Sequence, residues 1–342
     1  MRTLHSIPPL IGGIDHISLD TRNFTPSKKD IERLCHFFSL GTLKTFQKER
    51  NVVISHSNFF IHAVTVRGQF AFKFYPQQQK ENLQFEYFIN RHLISHGFPT
   101  AVMLNGIDNK PCIASCGHSA TCFDYIDGQQ AWEHIRKKSV QIQITDRIRR
   151  LKTVLQPLSG SKIMLRQDKI PAQVKQLIRT APSLMHFQQT NAVLRELSSI
   201  LLDYKKHKQL FIRQILHNDL TLTNILVTKT ETFILDLSHI REDYLLSDLA
   251  AFVISCHFMK IPSNVIQALT LRYFDRHGLK EHHLPILQIL LRLSLIREYL
   301  KNAARQQTLM GQTPRHMKTY GFYLSQRAKH LARLLRQIGS RR

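Results

Sequence analysis

The chain has 342 residues, 43% of them hydrophobic, with Gly and Pro at ordinary levels (13 and 12), so a disordered or low-complexity protein is excluded. That length exceeds the usual limit of a single core and points to two lobes or one large domain. Lys and Arg outnumber Asp and Glu by 48 to 24, a net charge of +24 that favours anionic partners without fixing either partner or fold.

In chain order, the start "MRTLHSIPPLIGG" lacks the sustained apolar run of a secretory signal. A helix is predicted around Ser27–Phe38, and "SNFFIHAVTVRGQFAFKFY" reads as two strands around a turn at Arg67-Gly68. In the second strand Phe70, Phe72 and Phe74 share one face, with Ala71, Lys73 and Tyr75 on the other. A lysine in the middle of such a strand is costly unless paired. The next element, "KENLQFEYFINRHLISHGFP", is a helix ended by Gly97 and Pro99, with a predicted apolar stripe through Leu83, Tyr87, Asn90 or Arg91, and Ile94. Glu86 stands among apolar residues of that helix, and it can satisfy Lys73.

The five cysteines (Cys35, Cys112, Cys116, Cys122, Cys256) form no disulfide framework and point to reduced thiols in the cytoplasm. "PCIASCGHSATC" fits no common zinc spacing and reads as a strand hairpin, while "CFDYIDG" is a strand leading to a turn. Residues 132–213 show helical periodicity, so strands come first and helices follow, an α+β pattern with two subdomains. "LPILQILLRLSLIREYL", interrupted by Gln288, Arg292 and Arg297, is a core helix rather than a membrane span. Residues 301–342 hold ten Lys/Arg and no acid; Leu324, Ala328, Leu331, Leu335 and Ile338 give them a helical stripe. That basic helix reads as docked on the fold with a solvated outer face, the other reading being a surface for nucleic acid or anionic membrane.

The stretch "ILHNDLTLTNILVTKTETFILDLSH" carries the chemistry. "NILV" and "TFILDL" are strands around the turn "TKTE", so Asp219 and Asn224 flank one loop and Asp236 ends the paired strand. A hairpin brings the three side chains to one edge, where carboxylate and carboxamide oxygens suit Mg²⁺ and a spare carboxylate can accept a hydroxyl proton.

The order Lys73, Glu86, His217-x-Asp219-x4-Asn224, Asp236 and "SDLA" resembles the aminoglycoside phosphotransferase, choline kinase and homoserine kinase superfamily. The resemblance covers roughly residues 40–260. It implies a two-lobed protein-kinase-like α+β fold, with a nucleotide-binding lobe over 1–126 and a helical lobe over 127–342. It further implies an ATP- and Mg²⁺-dependent phosphotransferase with a small-molecule hydroxyl acceptor that is homoserine-, choline- or sugar-like. On that resemblance Asp219 is the catalytic base, Asn224 and Asp236 hold Mg²⁺, and Lys73, fixed by Glu86, binds the phosphates. Ala71 faces adenine, His217 braces the loop, and Asp248 anchors the loop or caps the following helix. No glycine-rich loop precedes the first strand, so backbone amides around His56, Ser57 and Asn58 are expected to cover the phosphates. Asn218 replaces the arginine of regulated protein kinases, and Leu237-Ser238 replaces the Phe-Gly after the metal aspartate. Past Asp248 only Asp275, Glu281 and Glu298 are acidic, which favours a neutral, zwitterionic or anionic acceptor over an aminoglycoside. The rival reading is a non-catalytic nucleotide-binding or basic scaffold protein.

Overall fold

A computed structural model describes residues 26–48, 59–76, 80–158, 170–184 and 187–310. Packing divides them into two units: one of the described residues of 16–157 with Leu222–Ile240, the other of Leu158–Thr221 with the described residues of 241–342.

The first unit opens with α1 (Lys28–Phe37), whose Ser27 hydroxyl and Asp30 carboxylate satisfy each other's backbone N–H in a capping box. Three antiparallel strands follow: β1 (Leu43–Lys48), β2 (Phe59–Thr65) and β3 (Gly68–Pro76). The β2–β3 turn falls at Val66-Arg67, one residue before the predicted position, because Gly68 already pairs with Thr65. Phe72 and Phe74 are fully buried with Ile31, Leu34 and Cys35 of α1, so alternation along β3 assigns one face to the core as predicted. β4 (Cys112–Ser115) and β5 (His118–Asp124) complete a five-stranded sheet in the order β1-β2-β3-β5-β4. The cysteine-rich segment is therefore a hairpin, its two-residue turn made by Cys116 and Gly117, both at positive φ.

Helix α2 (Lys80–Ser95) stops where Gly97 takes a left-handed conformation. Its buried stripe differs from the predicted one. Leu83, Glu86, Ile89, Asn90 and Leu93 are buried, whereas Phe88 is exposed and Tyr87 and Ile94 are half-buried. The stripe runs through Glu86 because that carboxylate has partners inside, described below; Asn90 likewise bonds Ala101 O and Met103 N–H. After β6 (Gln129–Gln130) and α3 (Ala131–His134) comes α4 (Lys138–Leu155). β6 pairs with β8 (Ile225–Val227), which forms a hairpin with β9 (Thr232–Ile234). Packing thus groups α4 and this hairpin with the sheet, and the lobe division at 126/127 is kept as a functional proposal.

The second unit is mainly helical, with α5 (Ile170–Leu184), α6 (Phe187–His207), α7 (Ser247–Phe258), α8 (Ser263–Arg276) and α9 (Leu284–Met310). α9 contains the apolar run "LPILQILL" and buries Ile286, Leu287, Ile289 and Leu290 against its neighbours, a core helix as expected. Two short strands that periodicity does not reveal, β7 (Arg213–Leu216) and β10 (Arg241–Tyr244), pair antiparallel ahead of α7. No described helix is long and apolar enough to cross a membrane. The basic segment over 324–338 lies outside the described residues.

Candidate active site

In the first unit Lys73 lies mid-strand on the sheet face opposite α1, paired with Phe60 on β2 and Thr121 on β5. Its ammonium is buried and bonds two carboxylates, Glu86 Oε1 at 3.3 Å and Asp236 Oδ1 at 2.9 Å. Tyr75, two residues on along the same face, donates its hydroxyl to Glu86 Oε2 at 2.7 Å, and its ring lies 4.5 Å from the Lys73 ammonium. Ser238 donates its hydroxyl to Asp236 Oδ1 at 2.7 Å. The replacement of Phe-Gly by Leu237-Ser238 thus leaves an apolar Leu237 in the core and adds a donor to the aspartate. Asp236 itself takes a left-handed backbone, φ 58° and ψ 71°, a conformation that costs a non-glycine residue energy and recurs at functional sites.

Electrostatics follow from one buried cation facing two carboxylates. Burial opposes the Lys73 charge, yet Asp236 and Glu86 outweigh it and hold its pKa above the ordinary value. Burial and the neighbouring Asp236 charge raise Glu86. Asp236 is largely shielded, its side chain 14% exposed, and partial burial opposes its charge, but Lys73, His239 and the Ser238 hydroxyl hold it well below the usual carboxylate range, so it stays ionised. If all three groups are charged, the cluster carries one surplus negative charge. Replacing Tyr75 by Phe removes a donor from a buried carboxylate, with an expected cost of about 1–3 kcal/mol in urea unfolding at neutral pH. An unchanged midpoint would show that the hydroxyl contributes nothing.

Asn224 ends a 3₁₀ turn at Leu222–Asn224, just before β8. Its carbonyl accepts Leu235 N–H at 2.8 Å, which extends the β8–β9 ladder and brings Asn224 across from the residue before Asp236. Ala71 is half-buried on the Lys73 face, between His62 on β2 and Phe123 on β5. His56, Ser57 and Asn58 lie outside the described residues.

In the second unit β7 delivers His217, Asn218 and Asp219. His217 is fully buried. The Asp219 N–H donates to its Nδ1 at 3.3 Å, which leaves the ring proton on Nε2 and the imidazole neutral. Asp248, in the first turn of α7, accepts the N–H of His217 at 2.9 Å and of Asn218 at 2.7 Å. Asn218 adopts φ 63° and sends its amide to Leu216 O and Arg241 O, pinning the loop to both short strands. Asp248 makes no cap at α7; its carboxylate is spent on the loop.

Burial pushes the Asp248 pKa up to about 7, against the two N–H groups that favour its charge and with the Asp243 charge adding to the rise. Its contribution to stability is therefore full below the unfolded value near pH 4 and is lost as pH rises through about 7. Asp248→Asn should flatten that slope, shrinking the stability difference between pH 5 and 8 by on the order of 1–3 kcal/mol. Urea titrations at the two pH values measure it, and equal slopes in both proteins would contradict the assignment.

Residues 48–282 match the phosphotransferase enzyme family APH. The chain belongs to this family. Its α+β fold is protein-kinase-like, as solved APH-type structures show. An amicoumacin kinase, hAmiN, in complex with AMP-PNP, Ca²⁺ and Ami superposes with a TM-score of 0.67 at 13% identity, over 93% of this chain and 94% of that one. A choline kinase from Cryptosporidium parvum Iowa II gives 0.63 at 11% identity, over 92% and 99%. A choline/ethanolamine kinase family protein from Mesorhizobium loti gives 0.62 at 15% identity, over 91% and 99%. No curated protein sequence matches the chain significantly. Tyr75 and Ser238 are the contacts of this cluster that the motif order does not single out; Tyr75 stands two positions from Lys73 on the same strand face, while Ser238 reaches Asp236 from a 3₁₀ turn that no strand period reveals.

Proposed function

We propose that the chain transfers the γ-phosphate of ATP, with Mg²⁺, to a hydroxyl of a small molecule of homoserine-, choline- or sugar-like type. The observation that supports this most is the buried Lys73 held by Glu86 and Asp236, since no packing need draws a helix carboxylate and a loop carboxylate onto one strand ammonium.

The residues fit Mg²⁺ and nucleotide. Asp236 is ionised and hard, Asn224 lies across the hairpin from its neighbour, and with Glu86 ionised the cluster has one negative charge to spare. Among the described residues no three His, Cys, Asp or Glu side chains form a self-sufficient metal cage. Mg²⁺ needs none, as it is usually held by one or two carboxylates together with substrate phosphates. Asn224 and Asp236 would hold the ion, which when bound neutralises phosphate charge. Lys73, steadied by Glu86 and Tyr75, binds phosphate oxygens; Ala71 leaves room for the base, with Ser57 and Asn58 proposed to cover the phosphates. Asp219 orients the acceptor hydroxyl and takes its proton, while neutral His217 and Asp248 keep the loop rigid. The scarcity of acids after Asp248 favours a neutral, zwitterionic or anionic acceptor, and the cytoplasm is the proposed compartment.

A panel of hydroxyl metabolites incubated with the protein, labelled ATP and Mg²⁺ tests the reading. Transfer to at least one acceptor, abolished by chelation, is expected; ATP binding with no transfer across the panel would favour a scaffold.

A further inference from the structure

Lys73 joins two carboxylates carried by different elements, Glu86 on α2 and Asp236 just after β9. One helix, α4, is tied to both elements. Its Arg147 donates to Glu231 Oε1 at 2.8 Å, at the tip of the β8–β9 hairpin. One turn earlier, Gln143 Oε1 accepts the Thr232 hydroxyl at 2.9 Å. On the next turn Arg150 donates to His96 O at 3.2 Å and Gly97 O at 2.9 Å, immediately beyond the last residue of α2. Positions 143, 147 and 150 follow the i, i+4, i+7 spacing of one helix face. From Glu231 to Asp236 the chain spans five steps, about 17 Å if extended. β9 is the three-residue outer strand of the β6-β8-β9 sheet, so the ties at the hairpin's tip help to set where its far end points.

We infer that α4 is the strut that sets the separation of Glu86 and Asp236, and that Arg147 is a positioning residue for the metal-binding carboxylate. Arg147 acts through Glu231, and its side chain is only 15% exposed, so the pair is partly shielded from water. Arg150 does for the end of α2 what Arg147 does for the hairpin. The inference rests on the reading of Asp236 as a Mg²⁺ ligand.

The test is calorimetric titration of the full chain with AMP-PNP, with and without Mg²⁺. In Arg147→Ala the gain in affinity conferred by Mg²⁺ should shrink by about tenfold while the metal-free Kd stays within about twofold of wild type. Arg147→Lys should keep part of the gain. Glu231→Gln should reproduce the loss, and the double variant Arg147→Ala/Glu231→Gln should be no worse than either single. A wild-type Mg²⁺ effect in Arg147→Ala, or equal weakening with and without metal, overturns the inference and leaves the metal reading intact. A wild-type chain whose AMP-PNP affinity ignores Mg²⁺ overturns the metal reading and the inference with it. Should Arg147→Ala fail to fold by circular dichroism, Glu231→Gln carries the same test from the more exposed side of the pair.

Discussion

Asp219→Ala should lower kcat for phosphate transfer by about 10²–10⁴-fold, the range that a positioned general base supplies. The KM for MgATP should change little, because the Lys73 cluster that is proposed to hold the nucleotide lies in the other packing unit. A fall in kcat/KM carried by kcat alone is the signature of a group that acts in the transition state. The fold should survive, since Asp219 is half-buried and its backbone N–H, not its carboxylate, makes the bond to His217. Equal losses in kcat and in MgATP affinity would instead mean that Asp219 holds the metal.

Lys73→Met should be the most damaging substitution for stability. It keeps an unbranched side chain one atom shorter and removes the cation that Glu86 and Asp236 both face. Two buried carboxylates then confront each other without a counter-charge. Breaking a buried pair by deleting one partner typically costs about 3–5 kcal/mol, and here two partners are stranded at once. Burial and mutual repulsion would push protons onto them, so part of the loss should be recovered at acidic pH as the carboxylates neutralise. Glu86→Gln in the same background should also recover stability, because it removes one of the two stranded charges. Urea unfolding at pH 5 and pH 8 measures both effects. A Lys73→Met protein as stable as wild type at pH 8 would show that the ion pairs contribute nothing to folding. Loss of nucleotide binding is expected alongside, since the ammonium proposed to meet the phosphates has gone.

Much of the first unit was legible because alternation and charge cost act locally. Phe72 and Phe74 against Lys73 and Tyr75 follow from a period of two, and a lysine in such a strand demanded an acid nearby. Glu86 was found on that demand. The second partner, Asp236, is 163 residues away in the chain, and no local pattern links it to Lys73 beyond the motif order that suggested the family. The predicted α2 stripe was misplaced for the same reason. Judged by hydropathy alone Glu86 looked like an intruder, whereas the true buried face runs through it. β7 and β10 escaped notice because four residues such as Arg241–Tyr244 mix polar and apolar types and show no period. In α7 buried residues occur on every side, so no stripe tells which face meets which neighbour. The ties from Arg147 and Arg150 were invisible because arginine on a helix surface normally reads as a solvated charge.

The proposed phosphate transfer requires Asp236 to work as a metal-binding carboxylate clamped by Lys73. Its most direct test is AMP-PNP affinity as a function of Mg²⁺ concentration in wild type and in Asp236→Asn. Wild type should bind AMP-PNP more tightly as Mg²⁺ is added, and Asp236→Asn should show a flat response while still binding the metal-free nucleotide. An Asp236→Asn protein that follows the same Mg²⁺ curve as wild type would contradict it.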